Sequence, residues 1–372
     1  MNGKVLNNSD IFGIMENWAP QSMAYDWDNV GLQLGSYSKS VKKIMITLDV
    51  TESVVDEAIE QGADLIIAHH PLLFKPVKQI NIDTAQGKII QKLITNEITV
   101  YASHTNLDAA DGGVNDMLSE LLGLQSRKVL IETESEQLYK LAVYVPVSHE
   151  NVVREALSKG RAGHIGNYSH CTFQTEGQGT FKPLEGTNPF IGSKNQLEYV
   201  NEVKVETIVQ QTYLQNVINH MIDAHPYEEA AYDIYPLINE GKKYGIGRIG
   251  TLKTPAKLRA LCDYVKTAFD VPAVRVTGDL DKPVKTVAVL GGSGEKYIHA
   301  AKRSGADVYI TGDMSFHIAQ EAEQIGLSVI DPGHYIEKVM KKATKEYLQQ
   351  QLKQEKIEIT ISKSNTEPFK FL

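Results

Sequence analysis

The chain has 372 residues, 42% apolar and 23% charged, with 38 lysines and arginines against 46 aspartates and glutamates and a net charge of -8. That length exceeds one typical core and predicts two or three domains of an ordinary soluble protein, not a disordered one. No basic cluster marks a nucleic-acid surface, no apolar run comes near the roughly 20 residues of a membrane span, and Met1 to Trp18 lacks the layout of a signal peptide; nucleic acid and membrane are therefore not expected as primary partners, and the location is expected to be cytoplasmic.

In chain order, Ser9 and the apolar-periodic stretch to Trp18 predict a capped helix that stops before Pro20. The acidic and aromatic run Ala24 to Gly35 then either caps a helix or lines a pocket. Val41 to Leu48 reads as a strand ending at Asp49, and Thr51 to Gln61 as a helix with Thr51 as N-cap and Gly62 at its C-terminus. Next comes Leu65-Ile66-Ile67-Ala68, short, β-branched-rich and without alternation, which predicts a strand buried on both faces of a parallel sheet. Pro71 stops it, so His69 and His70 fall at its carboxyl end, where open α/β sheets build their sites. Read alone, the pair is either loop or metal ligands. A further helix, Gln86 to Asn96, leads to a strand Ile98 to Ala102 and to His104 and Asp108, where Asp108 serves as a ligand or as a helix or turn cap. Val114 to Leu122 is helical.

From about Arg127 the pattern changes to short alternating strands. Tyr139 to Pro146, a helix Glu150 to Ser158, loops and irregular strands in Gly160 to Gly192, a strand Val203 to Val209, a helix Tyr213 to Ala224 and a final segment to Pro236 give a β-α-β-β-α-β order, the ferredoxin-like plan. The expected division is therefore 1–127, an inserted domain 128–238, and 239–372. Gly245 to Gly250 matches a dinucleotide-binding glycine pattern only formally, since no buried strand precedes it; a glycine-bearing strand or hinge is expected, with Arg248 as a candidate anion contact.

The second half repeats the first. Val41 to His70 laid over Val284 to Asp313 without a gap pairs Val41 with Val284, Glu52 with Glu295, Ala58 with Ala301, Gly62-Ala63-Asp64 with Gly305-Ala306-Asp307 and Ile67 with Ile310. Both halves also run on to a histidine and a carboxylate: His104 and Asp108 in one, His334 and Glu337 in the other. The fold class expected is α/β, a duplicated lobe interrupted by an insert. His69, His70, Asp108, His334 and Glu337 then supply three imidazoles and two carboxylates, a set suited to zinc, iron or manganese and larger than one tetrahedral ion uses. Two divalent ions are expected, with Glu337 as the bridging carboxylate.

The same residues carry a resemblance. Trp27-Asp28-Asn29-Val30-Gly31-Leu32, Ile67-Ala68-His69-His70-Pro71, His104-Thr105-Asn106-Leu107-Asp108 and Gly333-His334-Tyr335-Ile336-Glu337, in that order over nearly the whole chain, resemble the NIF-three-like family of dinuclear-metal proteins, described as type 2 GTP cyclohydrolase homologues. The resemblance implies that His69, His70, Asp108, His334 and Glu337 bind the metals with His104 beside them. It also implies that the insert, with His225-Pro226-Tyr227-Glu228-Glu229, is PII- or CutA-like, and that the chain forms a homohexamer. Two functions stand open: a metal-dependent hydrolase acting on a nucleotide or phosphoester, or a metal-binding regulator or metallochaperone without turnover. Gly291-Gly292-Ser293-Gly294 is either a phosphate-binding nest or a plain turn, and His317 is a candidate base if it faces the cleft.

Overall fold

Short apolar strands between capped helices dictate the architecture. The structure, a computed structural model, describes residues 5–372. It divides into two units: the chain up to Glu134 together with Tyr244–Leu372, and Ser135–Lys243.

The first stretch comprises α1 (Asn8–Trp18), β1 (Gly31–Leu34), β2 (Lys43–Thr47), α2 (Glu52–Gln61), β3 (Leu65–Ala68), α3 (Ala85–Thr95), β4 (Thr99–Ala102), α4 (Thr105–Ala109), α5 (Val114–Leu121) and β5 (Gln125–Ser135). Thr51 caps α2 by accepting from the Val54 N–H, and Gly62 ends it in the left-handed conformation at φ 66°. The cap of α1 is Asn7 rather than Ser9: Asn7 and Asp10 form a reciprocal capping box, whereas the Ser9 hydroxyl donates to the Tyr37 carbonyl.

The second unit comprises β6 (Leu138–Pro146), α6 (Glu150–Lys159), β7 (Thr172–Phe181), β8 (Glu198–Gln210), α7 (Leu214–Ala224) and β9 (Tyr232–Pro236). Its four strands form an antiparallel sheet in the order β7-β8-β6-β9, and Leu141, Val143, Val205, Val217 and Met221 lie in its core. Where irregular strands were expected between Gly160 and Gly192, β7 pairs with β8 along its full length, from Thr172 opposite Thr207 to Phe181 opposite Glu198. The unit runs from Ser135, the last residue of β5, to Lys243, the first of the next strand, a few residues beyond 128 and 238 at either end.

The chain then forms β10 (Lys243–Lys257), α8 (Leu258–Phe269), β11 (Arg275–Thr277), β12 (Pro283–Ser293), α9 (Ile298–Arg303), β13 (Val308–Gly312), α10 (Phe316–Gln324), β14 (Ser328–Asp331), a 3-10 helix His334–Val339, α11 (Met340–Gln351) and β15 (Glu358–Ile361). One sheet runs β1-β4-β3-β2-β15 and another β11-β14-β13-β12-β10-β5. Their inner order is the same. β2, β3 and β4 are parallel with β1 antiparallel beside β4, as β12, β13 and β14 are parallel with β11 antiparallel beside β14. The repeated aspartates have one job: Asp64 accepts from the amides of Lys42 and Lys43, and Asp307 from those of Lys285 and Thr286, each at 2.8–3.0 Å. Each ties the start of one strand to the turn that enters the next.

Alternation within the strands explains their apolar runs. Ile44, Ile46, Ile67, Val287, Val289 and Ile310 share one core, while Met45, Ile66 and Val100 pack on α2 and α3 and Ala288, Tyr309 and Val329 pack with Ala301 and Ala322. Both sheets are thus buried on both faces. The glycine pattern at Gly245 to Gly250 lies in β10, where a Cβ on Gly245 would come within 2.0 Å of the Ile131 carbonyl of β5. The anion that Arg248 meets is an internal carboxylate, not a bound one. The arginine is 4% exposed, bidentate to Asp116 at 2.6 and 2.7 Å, and donates to the carbonyls of Gly245 and Gly247. No helix among the described residues is long and apolar enough to cross a membrane.

Candidate metal centre

The carboxyl ends of the parallel strands of both sheets bring the candidate ligands together, as the rule for open α/β sheets demands. His69 and His70 follow β3, whose ladder continues through His69 N–H to Thr47 O and His70 N–H to Leu48 O. His104 and Asp108 follow β4, His104 as the residue preceding α4 and Asp108 within it. His334 and Glu337 follow β14 on the 3-10 helix. With three residues per turn, positions i and i+3 eclipse there, so His334 Nε2 lies 3.1 Å from Glu337 Oε2.

Glu337 is the meeting point. Its Oε2 is 3.0 Å from His70 Nε2, 3.1 Å from His334 Nε2 and 3.8 Å from His69 Nε2, and His69 Nε2 is 3.7 Å from Asp108 Oδ1. Three donor sets form, His70/His334/Glu337, His69/Asp108/Glu337 and His69/His70/His104, each with its atoms within 4.8 Å of one another. The five expected ligands are brought together, and His104 joins them as a sixth donor.

Each imidazole is turned inward by a bond on its far side. Nδ1 of His69 donates to the Ser103 carbonyl at 2.8 Å, that of His70 to Asp49 at 2.6 Å, that of His104 to Asp28 at 2.9 Å and that of His334 to Asp313 at 2.7 Å. Such bonds fix the tautomer that leaves Nε2 for a metal. Asp28 is held in turn by the Thr105 amide and hydroxyl. In the sequence Asp49 is only the end of a strand and Asp28 part of a motif, whereas Asp313 stands where the repeat puts the counterpart of His70, an acid at the second strand end in place of a histidine. Asp49 and Asp313 lie just past β2 and β13.

The electrostatics are those of a site built around positive charge. Burial works against the Glu337 carboxylate, but the imidazoles of His334, His69 and His70 outweigh it and hold its pKa well below the usual range. Asp108 is pushed well above its usual range, first by burial and then by the charge of Glu337. Burial lowers His69; it would lower His70 and His334 too, but their carboxylate partners raise these to about 10 and about 9. For Asp28, burial is again outweighed, here by His104 and Thr105, and its pKa falls to about 2. His69 Nε2 and Asp108 Oδ1 are buried without a hydrogen-bond partner. An unsatisfied buried polar atom costs about 1–3 kcal/mol, and a divalent cation between an imidazole nitrogen and a carboxylate oxygen satisfies both. The residues present fit a metal.

The glycines beside the centre lie close against its candidate ligands. The Gly291 N–H is taken by Asn115 Oδ1 at 3.0 Å, the same side chain donating to the Asp108 carbonyl. A Cβ on Gly292, whose φ is 64°, would lie 2.6 Å from Glu337 Oε1. Close approach of the ligands is what these positions require. His317 lies exposed on α10 beside Gln320, outside the cluster.

The model of the Duf34/NIF3 (NGG1p interacting factor 3) family matches residues 6–368. Proteins called GTP cyclohydrolase 1 type 2 homolog from Bacillus subtilis and Halalkalibacterium halodurans are 51% and 50% identical over 371 residues, covering 99% of this chain and 100% of each relative. Among solved structures, a Bacillus cereus protein related to NIF3 superposes with a TM-score of 0.94 at 50% identity, covering 100% of both chains. The Staphylococcus aureus protein SA1388 does so with a TM-score of 0.78 at 32% identity, covering 99% of both.

Proposed function

The chain belongs to the Duf34/NIF3 family, and from that premise we propose that it holds two divalent ions, zinc, iron or manganese, and uses them to hydrolyse a nucleotide or phosphoester. The observation that carries this reading is the position of Glu337, whose one oxygen is shared by the His70/His334 and the His69/Asp108 donor sets. One carboxylate placed between two imidazole groups is what a two-ion site requires. When bound, such ions supply an activated water and charge for the leaving group. The chain's own part is orientation: Asp49, Asp28, Asp313 and the Ser103 carbonyl fix the rings, and the buried sheets keep the cluster rigid. The names of the 50% identical relatives support a nucleotide as substrate.

A second reading, a regulator or metallochaperone without turnover, is favoured by one observation: every histidine in the cluster is either aimed at the shared carboxylate or held by an orienting partner, which leaves none as a separate base. The β-α-β-β-α-β order of Ser135–Lys243 supports a PII- or CutA-like sensing role for that unit. Assembly as a homohexamer belongs to both readings and is tested by sedimentation.

Reconstituted protein should approach two metal equivalents, and Asp108→Ala should lower that value; a ceiling of one equivalent, unchanged by the substitution, overturns the two-ion site. Turnover of GTP and of a generic phosphodiester should vanish in His70→Ala and on chelation and return with added metal. Activity that survives in both places the reaction elsewhere, and none in the loaded wild type selects the regulator.

A further inference from the structure

Beside the metal centre lies a cavity of about 270 Å³ whose floor is His104, Asp108, His334 and Glu337. Its walls are chemically unlike each other. On one side Tyr25 stacks on Trp27 at 5.5 Å with 13° between the ring planes, and Phe74 meets Trp27 edge-on at 5.9 Å. Trp27 remains 55% exposed and Phe74 46%, so two large aromatic faces stand open at the mouth of a cavity. Exposed aromatic surface gathered in a concavity, next to a few convergent polar groups, marks a ligand site and not a packing defect.

The same lining carries the cavity's one lysine. Lys296 lies 4.9 Å from the Tyr297 ring and 5.9 Å from the Tyr25 ring, whose hydroxyls are 3.2 Å apart. No carboxylate lies within 4.0 Å of its ammonium among the described residues, although two carboxylates line the same cavity. Its charge is kept by ring faces instead of an acid, which leaves it able to meet an anion.

Resting on the two-ion reading above, we propose that this cavity takes a planar heteroaromatic phosphate ester, a nucleoside monophosphate in its simplest form, with the ring against Trp27 and Phe74 and the phosphate at Lys296. The size bounds the class. A volume of about 270 Å³ lies just under the roughly 300 Å³ at which drug-sized pockets begin. It encloses a ring and one anionic group, whereas the outer phosphates of a triphosphate extend beyond it and add no contact there.

The molecule supplies its own reporter, because it has two tryptophans. Trp18 is packed on Tyr347 at 4.4 Å and its indole donates to the Asp111 carbonyl, away from the cavity. In Trp18→Phe protein loaded with zinc, GMP should quench Trp27 fluorescence saturably. GTP should bind no tighter than GMP, guanosine at least tenfold more weakly, and ribose 5-phosphate should leave the fluorescence unchanged. Lys296→Gln, an exposed position, should weaken GMP to the level of guanosine, and Lys296→Arg should restore it. Equilibrium dialysis of GMP against the unaltered protein should give the same ranking, so the result does not depend on the Trp18 replacement. Metal content is measured in every sample. Protein that holds two ions yet shows no saturable quenching, or equal GMP affinity with Lys296→Gln, overturns this proposal; GMP binding as described by protein holding a single ion overturns the two-ion reading and leaves this one standing.

Discussion

The hydroxyl of Thr366 donates to one oxygen of Asp49, and the other oxygen of that carboxylate accepts from Nδ1 of His70 at 2.6 Å. A residue near the end of the chain thereby helps to aim a candidate ligand that follows β3. Replacing an outer partner of a ligating histidine typically costs about 10–100-fold in metal affinity. Asp49→Asn should fall in that range, Thr366→Val should cost about tenfold, and Thr366→Ser should cost little. Competition against a chromophoric chelator reads all three, and unchanged affinity in Asp49→Asn would refute the orienting role.

The segment that carries Thr366 is fastened by Glu57, which accepts from the Ser362 hydroxyl, the Lys363 amide, and the Ser364 amide and hydroxyl. Burial opposes its charge, but those donors outweigh it and lower its pKa below the ordinary 4.5. A carboxyl lowered in the folded state contributes stability in full above its unfolded value and loses it as pH falls through the folded one. Hydrogen-exchange protection of the Lys363 and Ser364 amides, corrected for intrinsic rates, should therefore hold at pH 6 and decline below about 4.5. Glu57→Gln should weaken it at neutral pH. Protection that is flat across this window would show that the fastening lies elsewhere.

Gly292→Ala tests the fit of backbone to ligand. A methyl group 2.6 Å from Glu337 Oε1, on a residue at φ 64°, must displace the shared carboxylate or the turn. The variant should fold, since the site lies at the ends of the strands, yet bind at least tenfold less metal at a fixed subsaturating concentration. Wild-type loading would mean that Glu337 is not held where it stands.

Arg248 and Asp116 form a largely buried pair, with side chains 5% and 17% exposed. Removing one partner of a buried pair costs about 3–5 kcal/mol, because the other charge stays behind. Arg248→Ala should therefore lower the denaturant midpoint markedly while metal content below the transition is retained. A midpoint like wild type would show that Asp116 finds water.

The carboxyl-terminal strand ends were legible in the sequence because both inner sheets are covered on two faces, which leaves their strands as unbroken apolar runs. The match of Gly62-Ala63-Asp64 with Gly305-Ala306-Asp307 was legible because Asp64 and Asp307 perform the same bonding in each half. The pairing of the outer strands was not. β15 pairs in parallel with β2 and β10 pairs antiparallel with β12, so the two halves differ where their neighbours come from distant parts of the chain. Asp49 escaped notice for a related reason, since a lone aspartate after a strand is ordinary loop chemistry; the repeat marks Asp313 as an acid at the second strand end, but only the folded chain shows that each grips a histidine. The glycines at Gly291 and Gly292 read equally well as nest or turn, because spacing cannot show that Glu337 packs against them.

β15 places Glu358 opposite Lys43 and Ile361 opposite Ile46, so the edge of the first sheet is closed by residues made some three hundred positions later. During synthesis His69, His70 and His104 leave the ribosome early, on a sheet that still lacks an outer strand, and His334 and Glu337 emerge shortly before it. Such long-range closure is slow compared with local folding. The first half by itself has an open strand edge and only part of the candidate ligand set, so a complete cluster has to wait for the second half of the chain. Truncation before Glu358 would then leave every candidate ligand present but remove both the edge strand and the Thr366 hydroxyl that holds Asp49 against His70.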